Sequence, residues 1–89
     1  MRRTEREAVF QSRFLEDLAY WVNTDRKTAL RILELVKAVL QDPFTGIGKP
    51  ELLKFDLARL WSRRITQEHR LVYEVPPTQV RFHQTRYHY

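Results

Sequence analysis

No cysteine occurs among the 89 residues, which excludes disulfides, thiol nucleophiles and cysteine-based zinc sites. Glycine appears twice and proline four times, too sparsely for a flexible linker or a low-complexity tract, and no internal repeat is found. No stretch approaches the ~20 apolar residues that a membrane span needs. The N-terminal run Met1-Arg2-Arg3-Thr4-Glu5-Arg6-Glu7 has no apolar signal core behind it, so the expectation is a cytoplasmic protein with no membrane partner. What is present is ordinary globular composition, 43% hydrophobic and 30% charged, in a length that suits a single core and hence one domain over residues 1–89.

Charge is the first informative signal. Sixteen Lys and Arg against eleven Asp and Glu give a net charge of +5, which permits a polyanionic partner without requiring one. Residues 1–45 hold eight basic and seven acidic side chains. Residues 46–89 hold eight basic residues, four acidic ones and all three histidines, so an anion belongs with the second half.

Periodicity divides the chain at the same place. Phe14, Leu15, Leu18, Trp21 and Val22 recur at helical spacing with Arg13, Glu16 and Asp17 opposite, predicting an amphipathic helix over residues 12–23. Asn23-Thr24-Asp25 breaks it and offers an N-cap for a second helix over residues 26–41, with Ala29, Ile32, Leu33, Val36 and Leu40 on its apolar face. Asp42-Pro43 stops that helix, because proline disfavours helical geometry in the residue before it. So short a connection predicts an antiparallel helical hairpin. After Gly46, the runs 52–55, 60–65, 71–75 and 79–86 are rich in Leu, Ile, Val, Tyr, Phe and Trp and read as strands joined by hairpins at 66–69 and 76–78. Residues 7–11 are a candidate leading strand. The expected architecture is α+β: a helical hairpin on one face of a small, largely antiparallel sheet, with basic and His side chains on the other.

Strand alternation picks out candidates for chemistry. Trp61, Arg63 and Ile65 share one direction, so Arg64 points into the uncovered face if Trp61 and Ile65 pack beneath the helices. Arg70 alternates with Leu71 and Tyr73 in the same way, which would bring two guanidiniums to one concavity. A guanidinium donates two parallel hydrogen bonds to phosphate and stays charged at any working pH, although solvated surface arginines would show the same pattern. Glu51 and Lys54 flank the entry to the first of these strands. A carboxylate beside cations stays ionised and can accept a proton, while a solvent-facing Glu–Lys pair fits equally. His88 lies in the aromatic segment Arg86-Tyr87-His88-Tyr89, where it could be a proton donor or a frayed end, and Tyr89 could stack on a nucleobase or pack on the sheet. The three histidines lack metal-ligand spacing, and Gly46-x-Gly48 lacks the remaining glycines of a phosphate loop, so neither a metal nor a cofactor is expected. A base, fixed cations and a histidine together suit metal-free RNA cleavage, in which the RNA supplies its own 2′-hydroxyl nucleophile.

Four blocks then carry a resemblance: Pro43-Phe44-Thr45-Gly46-Ile47-Gly48-Lys49-Pro50-Glu51, Leu60-Trp61-Ser62-Arg63-Arg64-Ile65, Glu68-His69-Arg70-Leu71-Val72-Tyr73 and Arg86-Tyr87-His88-Tyr89. In order and spacing they resemble the YoeB/Txe toxins of the RelE superfamily of bacterial toxin–antitoxin systems, from about Trp21 onward. The resemblance implies a RelE-like, microbial-ribonuclease-like fold and an endoribonuclease toxin that cleaves mRNA in the ribosomal A site. It implies Glu51 as general base, His88 as general acid and Arg70 as the group stabilising the transition-state phosphate. Lys49, Lys54 and Arg64 would be phosphate contacts, and Tyr89 would help place the terminus or the RNA base. It also implies a homodimer, neutralisation by a YefM-like antitoxin whose disordered segment folds over the toxin, and DNA contact only through that complex. Leu52 stands where the family usually has a second proline, Pro76-Pro77 shortens the usual hairpin, and the first ten residues match poorly.

Two other readings share the charge and composition. A non-catalytic module could block translation by occupying RNA or the ribosome, but binding alone needs cations and neither a base nor an acid. A DNA-binding repressor would need a recognition helix, whereas the second helix commits a full face to apolar residues.

Overall fold

The computed structural model describes residues 6–54 and 59–86. Strand β1 (Glu7–Phe10) leads into helices α1 (Ser12–Thr24) and α2 (Arg26–Gln41), followed by β2 (Glu51–Leu52), β3 (Trp61–Arg64), β4 (Arg70–Glu74) and β5 (Gln79–Gln84). The sheet order is β1-β5-β4-β3-β2. Consecutive strands from β2 to β5 pair antiparallel, and β1 runs parallel to β5 with Glu7 opposite Gln79. The α+β expectation holds, and the leading strand at 7–11 is real. Among the described residues no helix is long and apolar enough to cross a membrane.

Asp25 forms the corner of the hairpin. Its N–H donates to the Trp21 carbonyl at 2.7 Å, closing α1, while its carboxylate accepts from the Thr28 N–H at 3.3 Å and the Thr28 hydroxyl at 2.9 Å, opening α2. Those Thr28 bonds hold the Asp25 carboxyl below its ordinary value. The core lies between the hairpin and one sheet face: Phe14, Trp21, Ala29, Ile32, Leu35, Val36 and Val39 meet Ile65, Leu71, Tyr73, Val80 and Phe82. Fully burying a large aliphatic or Phe side chain contributes roughly 1.5–3 kcal/mol, so this layer dominates the favourable side of folding.

Several local expectations need correcting. Leu15, Val22 and Leu33, assigned to the apolar faces, are exposed, whereas Leu35 and Val39 are fully buried. The buried stripe of α2 is turned toward the loop that follows the helix: a Cβ added at Gly48 would lie 2.9 Å from Leu35 Cδ2. Asp17, placed on the polar face of α1, is only 3% exposed. Its carboxylate accepts the Thr85 N–H at 3.0 Å and pairs with Arg13 at 3.1 Å, so a long-range partner draws it inward. Strand β2 is shorter than the expected 52–55, and Phe55 lies outside the described residues. His69 does not join the uncovered face, because its ring sits edge-on to Trp21 with centroids 4.8 Å apart.

Candidate active site

The uncovered sheet face is assembled by register. Glu51 stands opposite Ser62 across β2 and β3, and Arg64 stands opposite Arg70 across β3 and β4. Ser62 and Arg64 are two residues apart on β3 and so point the same way. The Arg70 guanidinium reaches across this row. Its Nη1 donates to Glu51 Oε1 at 3.3 Å and to Ser62 Oγ at 3.1 Å. The Arg70 side chain is 19% exposed and Glu51 62%, so the arginine is held from below while the carboxylate stays open to solvent. Arg64 is exposed beside them, and exposed Lys49 and Lys54 bracket β2. The structure thus brings Glu51 and Arg70 into contact, with Arg64 alongside and the two lysines at the ends of the neighbouring strand. His88 and Tyr89 lie outside the described residues.

A carboxylate joined to a guanidinium by one weak, partly solvated ion pair is worth only about 0.2–1 kcal/mol. A phosphodiester, which bears the same single negative charge and offers two oxygens to the guanidinium fork, can therefore compete for Arg70 and leave the carboxylate free to accept a proton. Ser62, missed by sequence reasoning, is fully buried and accepts from the same Arg70 Nη1, a second partner that does not depend on Glu51. Alternation alone could have found it, because it lies two residues before Arg64 on the same face.

Arg63 was also passed over. It is 0% exposed and points to the core side, where its Nε donates to the Tyr73 hydroxyl at 3.1 Å. Its two Nη atoms donate to the carbonyls of Ile47 at 3.1 Å, Thr45 at 2.9 Å and Asp42. The signal was an arginine in phase with Trp61 and Ile65. Farther along the uncovered face, Glu74 Oε1 meets His83 Nε2 at 3.2 Å and Arg81 Nη1 at 3.8 Å.

Helix α1 anchors the end of β5. Thr85 has its N–H bound by Asp17 and its carbonyl by Trp21 Nε1 at 3.2 Å, and the Arg86 guanidinium lies 3.7 Å from the Tyr20 ring centroid. The chain therefore leaves the sheet from a fixed point, three residues before His88.

A model of the YoeB-like toxin of bacterial type II toxin–antitoxin systems matches residues 10–89. The toxin YoeB of Streptomyces coelicolor is 49% identical over 80 residues, covering 90% of this chain and 95% of that protein. Among solved structures, the YoeB dimer from Staphylococcus aureus superposes with a TM-score of 0.85 at 38% identity, covering 97% of this chain and all of the other. The YoeB–YefM complex from the same organism gives 0.81 at 37% identity with the same coverage of this chain.

Proposed function

The chain belongs to the YoeB-like toxins of bacterial type II toxin–antitoxin systems, and from that premise we propose that it is an endoribonuclease cutting mRNA in the ribosomal A site. The observation that carries this reading is the contact of Arg70 with both Glu51 and Ser62 on a sheet face that also presents Arg64. In the proposed reaction Glu51 removes the 2′-hydroxyl proton and the resulting oxygen attacks the adjacent phosphorus. Arg70 neutralises the pentacovalent phosphate, and His88 protonates the departing 5′-oxygen. The products are a 2′,3′-cyclic phosphate and a 5′-hydroxyl, with one proton taken up and one delivered. DNA lacks the nucleophile and is spared. Arg64, Lys49 and Lys54 hold flanking phosphates, and Tyr89 stacks on a base or seats the terminus.

Chain geometry is compatible with His88 joining the site. Gln84 stands opposite Val72, two residues from Arg70 on β4, and four further residues span at most about 14 Å. A carboxylate is a weak base for so weak an acid as the 2′-hydroxyl, so arginine preorganisation carries much of the rate in this reading.

The partners follow from the relatives. The Staphylococcus aureus toxin was solved as a dimer and with YefM. For this chain we infer a homodimer, and a YefM-like antitoxin whose folding segment covers the basic face, with DNA reached only through that complex. The site of action is cytoplasmic.

The test is cleavage of mRNA on programmed ribosomes by wild type, Arg70→Ala and His88→Gln, with the 3′ end of each fragment identified. A-site cuts ending in cyclic or 3′-phosphate, lost in Arg70→Ala and slowed in His88→Gln, are expected. Translation arrest with intact mRNA would replace the nuclease with a module acting by occupancy.

A further inference from the structure

The loop between α2 and β2 opens on its own Asp42 turn, whose carboxylate accepts from the Phe44 N–H at 3.0 Å, the Thr45 N–H at 3.3 Å and the Thr45 hydroxyl at 2.8 Å, and its backbone carbonyls are held by β3 and β4. The carbonyls of Asp42, Thr45 and Ile47 all accept from Arg63, that of Pro43 accepts from the Tyr73 hydroxyl at 2.8 Å, and that of Gly48 accepts from the Arg64 N–H at 2.6 Å. The backbone there is irregular, with φ of +126° at Gly46, +82° at Gly48 and +53° at Lys49. No regular element could present five carbonyls of one short loop to two neighbouring strands.

A buried guanidinium is a costly way to hold a core together, since well-packed apolar residues in place of buried charges are often neutral or stabilising. What an apolar residue cannot do is fix backbone carbonyls in space. Only Lys49 and Pro50 separate the last clamped residue, Gly48, from Glu51, and proline fixes its own φ. A short, stiff connection therefore transmits the position of the clamp to the Glu51 carboxylate. The same β3 carries Ser62, which holds Arg70, so one strand sets both partners of the Glu51–Arg70 pair.

We propose that Arg63 and Tyr73 are positioning residues for Glu51: together they lock the 42–48 loop so that the carboxylate stands at Arg70. The proposal rests on the nuclease reading for its catalytic consequence, and its structural half can be measured without it. Tyr73→Phe removes one hydroxyl and keeps the ring. Arg63→Lys keeps the charge and removes the fork that serves several acceptors at once.

The experiment combines single-turnover cleavage on programmed ribosomes with amide hydrogen exchange of the purified toxin. In both variants, exchange at the Arg64 amide should quicken by about tenfold or more while the β5 amides at Val80 and Phe82 keep their protection. The maximal rate should fall roughly 10- to 100-fold with the half-saturating ribosome concentration little changed, as expected for a displaced catalytic group. Arg63→Lys should not rescue relative to Arg63→Met, since charge alone does not hold the loop. An unchanged Arg64 amide, equal loosening of β5, or a defect confined to half-saturation would overturn the proposal. Should Arg63→Lys fail to fold, Tyr73→Phe decides alone. Absence of cleavage by wild type would remove the nuclease reading, and exchange would still establish or refute the clamp.

Discussion

Arg63 and Arg64 are adjacent on β3 and have opposite fates. Arg63 turns under the helices, loses all exposure and commits its donors to a tyrosine hydroxyl and three carbonyls. Arg64 turns outward beside Arg70 and stays exposed. A one-residue step in a strand reverses the face, so identical chemistry is committed to the scaffold in one position and left open to solvent in the next. Counting basic residues therefore overstates the charge that the uncovered face presents. That charge comes from the few cations that alternation leaves there.

The largest effect should come from removing the buried member. Arg63→Ala takes the donor from the Tyr73 hydroxyl and three partly buried carbonyls and empties a fully buried side-chain volume, and should cost about 2–5 kcal/mol in urea-unfolding free energy. A loss below about 1 kcal/mol would mean the loop finds other donors and the contrast between the two arginines is shallow.

Tyr73 sharpens the contrast through pH. Burial raises its hydroxyl above the ordinary tyrosine value of 10.0, and the neighbouring Arg63, which acts the other way, does not cancel this. Unfolded tyrosine then ionises first, so the folded state loses stability as pH rises from about 10 through the raised value, at up to about 1.4 kcal/mol per unit. Tyr73→Phe should flatten that decline, and stability-against-pH curves of equal slope for the two proteins would contradict it. At neutral pH the same substitution should cost about 1 kcal/mol.

The smallest stability effect belongs to the exposed member. Arg64→Ala should stay within about 0.5 kcal/mol of wild type by thermal or urea unfolding, while its affinity for RNA falls and depends less steeply on salt. Unaltered salt dependence would place the phosphate contacts elsewhere.

Much of this was legible in the sequence because it is local. Asp25 and Asp42-Pro43 mark the hairpin and its end through capping and steric rules that involve only neighbours. Alternation around Trp61, Leu71 and Tyr73 placed Arg64 and Arg70 on the right face. The failures share a cause, which is partners distant in the chain. Asp17 is buried because Thr85 needs an acceptor, and the buried stripe of α2 turns because Gly48 comes to lie against Leu35. Ser62 and Arg63 acquire roles only once Arg70 and the 42–48 loop surround them. The juxtaposition of Glu51 with Arg70 was implied by the family resemblance and is given by the register of β2, β3 and β4.

The position of β5 has a consequence in time. It is the last described strand in the chain yet the second in the sheet, flanked by β1 on one side and β4 on the other. Until residues 79–84 emerge during synthesis, β1 has no partner, β4 has a bare edge, and Phe10 and Phe14 lack the Phe82 ring that they meet at 5.0 and 5.9 Å. Pairing of β1 and closure of the core therefore wait on this last described strand. A translation product interrupted before that strand leaves β1 unpaired, one edge of β4 bare and the aromatic cluster around Phe10 and Phe14 open. A copy abandoned there is an unfinished fold.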